Sequence, residues 1–207
     1  MKPVNEAALD AFIKLIAEKG FADVALRDVA EAAGLSLAEL YRVYPDKVAL
    51  VAAFLAKIDA EVLAGAPSRS DPEETARDRL FDAMMRRYDA LRPYREALGA
   101  IRRAGARDPM LALAMGPALR RSMAAMLEAA SVPSDGLGGA LRQNGLLAIH
   151  YAVSRVYATD ETTDLSKTMA ALDSRLKTAE RWAQLFDKYV KYPESKKPQN
   201  EANSPAA

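Results

Sequence analysis

The stretch Ala25-Leu26-Arg27-Asp28-Val29-Ala30-Glu31-Ala32-Ala33-Gly34-Leu35-Ser36-Leu37-Ala38-Glu39-Leu40-Tyr41-Arg42-Val43-Tyr44 decides the reading of this chain. It suits two short helices crossing steeply through a tight turn. Such a crossing needs a small residue where the helices touch, and Ala30 supplies it. The turn needs a residue that tolerates positive φ, and Gly34 stands four positions on. Val29, Ala33, Leu35, Leu40 and Val43 fall where apolar side chains close the core between the two helices. Ser36 is a good N-cap for the second helix, and Glu39 three residues later completes a capping box. A preceding helix over Glu6–Lys19, with Ala8, Phe12, Leu15 and Ile16 at helical spacing, offers a third apolar face.

Outward from this stretch the pattern stays helical. Alanine and leucine, both strong helix formers, dominate. Strict alternation and two-residue hairpin signals are missing from the sequence. Gly20 and Gly34 suit the left-handed residue just past a helix end. Pro45 interrupts the pattern, which resumes at Val48 and runs to about Leu63. The stretch Ala64–Pro72 reads as a linker, with Pro72 placed as a first helical residue. Further helices are expected at 72–91, 93–104, 109–130, 139–158 and 165–187, the third broken or kinked at Gly116-Pro117. Residues 131–136 read as a loop. The expected fold class is all-α. A three-helix helix-turn-helix domain (1–50) precedes a larger helical domain for ligand binding and dimerisation (51–190), and 191–207 is a flexible polar tail.

Composition excludes several classes of function. The chain has 207 residues, half of them apolar, enough for one generous domain or two small ones sharing a core. Twenty-nine Lys and Arg against 28 Asp and Glu give no overall basic charge for nonspecific nucleic-acid binding. With no cysteine and one histidine, disulfides, thiolate zinc sites and a cysteine nucleophile are out of reach. The sequence carries no metal-ligand cluster and no glycine-rich phosphate loop, so no catalytic residues, metal or cofactor are expected. No apolar run approaches the roughly 18 residues of a membrane span, and Met1–Glu6 leads into an amphipathic segment. A cytoplasmic protein is the expectation.

The run Gly34-Leu35-Ser36, Leu40-Tyr41-Arg42-Val43-Tyr44-Pro45-Asp46-Lys47 and Leu50, preceded by Glu18-Lys19-Gly20-Phe21 and Leu26-Arg27-Asp28-Val29-Ala30, resembles the N-terminal DNA-binding domain of the TetR family of bacterial repressors. The resemblance covers about residues 7–55. It implies that the helix starting near Leu37 enters the major groove of double-stranded DNA, with Leu37, Ala38, Glu39 and Arg42 facing base edges. It places Ser36, Tyr41 and Lys47 at phosphate-contacting positions, with Arg27 and Tyr44 also on the DNA side. Arg42 is the one long donor on the reading helix, and guanine is its natural partner.

The larger body carries its own signals. Six of the eight methionines lie at Met84, Met85, Met110, Met115, Met123 and Met126. Core filling and an adaptable pocket for a small apolar or lipid-like ligand both suit them. His150 and Tyr151 on one apolar helix, with Tyr88, serve as polar handles in the same reading, while a hydrogen-bonded core histidine is the plainer alternative. Between Arg86 and Arg121 stand nine arginines and no lysine, read as a solvated helix face or as a surface for an anionic ligand or acidic lipid. Met169, Leu172, Leu176, Ala179, Ala183 and Phe186 make a heptad-like seam. Leu147, Ala152, Val153 and Val156 stripe the helix before it. Homodimerisation through the helices near 139–158 and 165–187 is expected, some of each stripe serving the chain's own core.

A fainter resemblance links Asp164–Trp182 and Met85–Arg95 to the ubiquinone-biosynthesis lipid-binding proteins, which share the TetR-like fold without binding DNA. Residues 1–60, with seven Lys and Arg against nine Asp and Glu, fit that alternative. The favoured expectation is a one-component transcriptional regulator, a repressor released from a near-palindromic operator by an apolar ligand. The alternative is a lipid-binding accessory protein.

Overall fold

A computed structural model describes residues 4–67 and 73–190. The chain runs through α1 (Val4–Lys19), α2 (Leu26–Ala32), α3 (Leu37–Val43), α4 (Lys47–Ala64), α5 (Ala76–Leu91), a 3-10 turn (Arg92–Tyr94), α6 (Arg95–Arg107), α7 (Pro109–Ala129), α8 (Gly136–Tyr157) and α9 (Ser166–Val190). No strand occurs among the described residues. The tail beyond residue 190 and Pro72 of the expected linker lie outside them.

The helix ends follow local chemistry. Gly20 and Gly34 sit at φ +93° and +68°, the left-handed region in which a Cβ is costly. Asp46 caps α4 by accepting from the Ala49 N–H at 2.7 Å. Thr75 caps α5, so that helix begins at Ala76 rather than at 72. Asp108 accepts from the Met110 and Leu111 amides while Pro109 occupies the first turn of α7, where its missing N–H costs nothing. The expected break at Gly116-Pro117 does not occur, and α7 runs unbroken through Pro117. The carbonyl this proline leaves without a helix partner belongs to Leu113, an exposed residue. Pro93 falls in the 3-10 turn, which sets the start of α6 at Arg95. At the other end α8 begins three residues before the expected Gly139. Gly139 is needed there because a Cβ would overlap the Ser134 backbone carbonyl, against which the 131–135 loop closes.

The N-terminal core gathers Ala8, Phe12 and Ile16 of α1, Phe21, Val29 and Ala30 of α2, Leu40 of α3, Tyr44, and Leu50 of α4. Phe12 and Phe21 meet edge to face at 6.2 Å. Ala33 and Leu35 are half-buried, as their supporting positions require. Val43 is not in this core: it is 41 % exposed, and Tyr44 turns inward in its place. Because α3 ends at Val43 and the chain goes extended at Tyr44, the next side chain is carried to the inner face.

Helix α4 joins the two parts. Its first turns close the N-terminal core through Leu50, and Phe54, Leu55, Ile58 and Val62 continue into the larger body. There α4 packs against α7 and α5, α6 packs on α1, and α8 pairs with α9. Phe54 and Tyr94 meet edge-on at 5.0 Å where the two parts join. A single apolar cluster therefore runs through both.

Candidate functional site

The α2–turn–α3 unit is held by its own backbone and caps. The Leu35 N–H donates to the Ala30 carbonyl at 2.9 Å across the turn, as a left-handed Gly34 allows. The Ser36 hydroxyl accepts from the Glu39 N–H at 3.2 Å, and the Ser36 N–H donates to the Glu39 carboxylate at 2.8 Å. The Ser36 hydroxyl donates to the same carboxylate oxygen at 2.6 Å. These hydrogen bonds hold the Glu39 carboxyl below its usual range, so it stays ionised and turned back toward the helix start.

With Leu40 and Tyr44 facing inward, the 100° step per residue puts Ala38 and Arg42 on the far side of α3. Leu37 and Tyr41 flank them, 40 % and 60 % exposed. Arg27 is exposed on α2. Together these side chains form the outward face of the motif.

Two of the residues expected on this face point elsewhere. Tyr44 is buried in the N-terminal core, and burial pushes its phenol up. Lys47 turns inward: its Nζ donates to the Phe21 carbonyl at 2.7 Å and sits 4.6 Å over the Phe21 ring. Desolvation lowers its pKa. Lys47 fastens the loop between α1 and α2 through these contacts.

The larger body places the expected ligand residues in two environments. Met84, Met115, Met123, Met126, Tyr88 and His150 are buried together in the core. Met110 is 72 % exposed and Tyr151 47 % exposed, so neither shares that environment. Met110 stands in the first turn of α7, before the helix reaches the core, and Tyr151 follows His150 by one residue and turns to the other side of α8. Two clefts lie elsewhere. One is bounded by Asp10, Ile13, Lys14 and Ala17 of α1 with Pro93, Tyr94, Glu96 and Ala97. The other is bounded by Pro67, Glu74, Arg79, Asp82, Arg86, Ala129 and Ser131.

The arginine band is not uniformly a solvated face. Arg87 is 1 % exposed. Its Nη1 donates to Asp59 of α4 at 2.9 Å, and Ser122 of α7 donates to the same carboxylate at 2.6 Å. Burial raises the Asp59 carboxyl, opposed by the guanidinium and the serine hydroxyl. Arg95 stacks over Tyr157 at 4.6 Å and donates to its carbonyl, while Arg92 reaches the Thr163 carbonyl. The Tyr88 hydroxyl lies 3.3 Å from His150 Nδ1, and the Tyr157 hydroxyl donates to the Tyr88 carbonyl. A sequence reading misses this buried polar core because arginine is rarely fully buried. One signal was present: Met84, Arg87, Tyr88 and Leu91 follow helical spacing, which sets Arg87 in an apolar stripe.

Among the described residues no group of three or more His, Cys, Asp or Glu could hold a metal ion. No helix there is long and apolar enough to cross a membrane.

Residues 8–54 match the family model of the bacterial regulatory proteins, tetR family. The N-terminal part is similar to the TetR family. The match spans α1, α2, α3 and the first turns of α4, the elements that build and orient the motif. Solved structures share the fold over nearly the whole chain. A TetR transcriptional regulator from Nitrosomonas europaea superposes with a TM-score of 0.67 at 21 % identity, covering 87 % of this chain and 99 % of that one. A TetR-family member from Streptomyces coelicolor gives 0.53 at 22 % identity, covering 84 % and 98 %. The multidrug binding protein EbrR, solved with imidazole, gives 0.51 at 23 % identity, covering 85 % and 96 %. No curated protein sequence matches. The TetR-like arrangement of a helix-turn-helix part and a larger helical part is thus established.

Proposed function

We propose that the protein is a DNA-binding transcriptional regulator that acts as a homodimer in the cytoplasm and represses until a small apolar ligand releases it. One observation carries this reading: within a part similar to the TetR family, α3 turns Ala38 and Arg42 outward, opposite its buried anchors Leu40 and Tyr44. An α-helix so presented fits the major groove. Arg42 and Ala38 would face base edges, and Arg27 and Tyr41 the phosphates, while Ser36 caps α3.

Dimerisation through α8 and α9 is supported by what those helices leave uncovered. Leu137 and Leu141 on α8 are 90 % and 72 % exposed, and Ala148 and Tyr151 continue the same stripe. On α9, Leu172 and Leu176 pack within the chain, whereas Ala179, Trp182 and Ala183 are exposed. The side chain of Phe186, the last member of the expected seam, lies outside the described residues. Two such helices from each copy would form a four-helix interface. The two reading helices would then reach successive major grooves about 34–36 Å apart, or a multiple of that, which calls for a near-palindromic operator.

The ligand would enter the methionine-lined core around Met84, Met115, Met123 and Met126, with Tyr88 and His150 as its polar contacts. The fold shared with a multidrug binding protein suits an adaptable apolar site. Release requires the ligand to favour one arrangement of the reading helices over another by about 1–3 kcal/mol. The TetR-family match over 8–54 favours the regulator over the lipid-binding accessory protein.

Selection of genomic fragments with the purified protein, followed by a salt titration of the best fragment, tests the proposal. A near-palindrome bound with affinity that falls steeply as salt rises is the expected result. A folded, dimeric protein that recovers nothing above background refutes it. Extraction and mass spectrometry of a co-purified isoprenoid lipid would then establish the accessory-protein reading.

A further inference from the structure

We propose that α3 reads a half-site in which a guanine has a thymine one or two base steps away, Arg42 donating to the guanine and Ala38, with Leu37 beside it, packing on the thymine 5-methyl group. This rests on the regulator reading above and specifies the DNA that the same surface takes.

Each base shows its own pattern in the major groove. Guanine offers two acceptors, adenine an acceptor and a donor, cytosine a donor, and thymine an acceptor with a methyl group. Adenine is read by an Asn or Gln amide, and residues 36–44 contain neither. Cytosine is read by a carboxylate, and the one on α3 is occupied. The Glu39 carboxylate accepts from both the Ser36 N–H and the Ser36 hydroxyl, which turns it toward the start of the helix. The Ser36 hydroxyl is engaged with the Glu39 side chain and N–H in return. Lys47, the next cation in the chain, is tied to the Phe21 carbonyl.

What remains on the outward face of α3 itself is one multiple donor, Arg42, the Tyr41 hydroxyl at its flank, and apolar surface. Arg42 is exposed, and it acts on the Glu39 carboxylate through charge alone, that carboxylate being hydrogen-bonded to Ser36. Its fork matches the two acceptors of guanine. Ala38 stands one turn earlier on the same line of the helix, and Leu37 next to it is 40 % exposed. A methyl side chain lets the helix backbone come close and leaves only van der Waals contact to offer, which the thymine methyl can use. One helical turn rises about 5.4 Å, and base steps rise about 3.4 Å, which sets the spacing of one to two steps.

The test keeps the protein intact and changes the DNA by one methyl group. In the operator recovered by fragment selection, each thymine of a half-site is replaced in turn by deoxyuridine, which preserves every hydrogen bond. One position beside the guanine should weaken binding about fourfold, the effect of losing one buried methyl-sized group. An Ala38→Gly variant, checked for folding by thermal melting, should bind the thymine and uracil operators equally. Arg42→Ala should lose its preference at the guanine. If the operator binds with a steep salt dependence but no deoxyuridine substitution changes its affinity, the proposal is overturned while the regulator reading stands. If no fragment is recovered at all, the regulator reading fails and this one falls with it.

Discussion

Lowering the pH from 7 to 5 crosses the ordinary titration range of one buried side chain of this protein. His150 is the only histidine, enclosed in the core with Nδ1 3.3 Å from the Tyr88 hydroxyl. Burial, and then the positive charge of Arg87, pushes its pKa from 6.5 down to about 3. In the unfolded chain the imidazole titrates near its ordinary value of about 6.5. Between these values the unfolded state binds a proton that the folded state refuses. Stability is therefore full above pH 6.5 and falls by about 1.4 kcal/mol per pH unit below it. From pH 7 to pH 5 the loss comes to about 2 kcal/mol. For a domain of this size that lowers the melting temperature by roughly 4–8 °C. Denaturant unfolding at pH 7, 6 and 5 measures it directly. His150→Gln, which keeps a hydrogen-bonding group for Tyr88 but has no proton to take up, should flatten the slope whatever its own stability. The imidazole proton resonances of the folded protein should stay fixed down to pH 5. Equal slopes in the two proteins, or an imidazole that titrates near 6.5 in the folded state, would refute the burial of a neutral His150.

Three further outcomes follow from the geometry. Asp59→Ala leaves the Arg87 guanidinium buried without its carboxylate and should cost about 3–5 kcal/mol in unfolding free energy, whereas the double change Asp59→Leu, Arg87→Met should recover most of it; a double variant no more stable than the single one would show that packing, not charge, sets the cost. Gly139→Ala drives a Cβ into the Ser134 carbonyl and should lower the melting temperature, while Gly138→Ala meets only the tip of Arg142 and should raise stability by up to about 1 kcal/mol. Similar melting shifts for the two glycine variants would contradict the close approach at Gly139. Lys47→Met should lower stability by loosening the α1–α2 loop, yet leave the salt slope of DNA binding unchanged, because its ammonium group already serves the Phe21 carbonyl; a slope reduced by about one would mean that Lys47 contacts a phosphate.

Much of the motif was legible because its determinants are local. A capping box, a positive-φ glycine and a small crossing residue each act within a few positions, so Ser36, Glu39, Gly34 and Ala30 could be assigned from spacing alone. Errors began where a side chain had two places to go. Val43 and Tyr44 are adjacent, and the extended residue that ends α3 chose which of them faces inward. Lys47 has a long stem that reaches either outward or back to the α1–α2 loop, and only the position of the Phe21 carbonyl settled the matter. Met110 and Met123 are alike in composition and periodicity, yet one lies in the first turn of α7 and the other opposite α4. The start of α5 moved for a similar reason, since the Thr75 side chain meets the free amide of Asp78 and so sets the helix start at Ala76 rather than at 72.

By itself the sequence determined that the chain is helical, where its turns fall, and that residues 25–44 form a capped helix-turn-helix. Those features depend on backbone φ and on hydrogen bonds spanning three or four positions. Tertiary structure decided that Arg87 is a buried partner of Asp59 and Ser122 rather than part of a solvated band. Those three residues lie on α5, α4 and α7, and the cost of burying a guanidinium is met only when all three helices converge on it. It also decided which apolar stripe of α8 and α9 serves the chain's own core and which stays uncovered. Periodicity records that a face is apolar, and the packed neighbours determine what covers it.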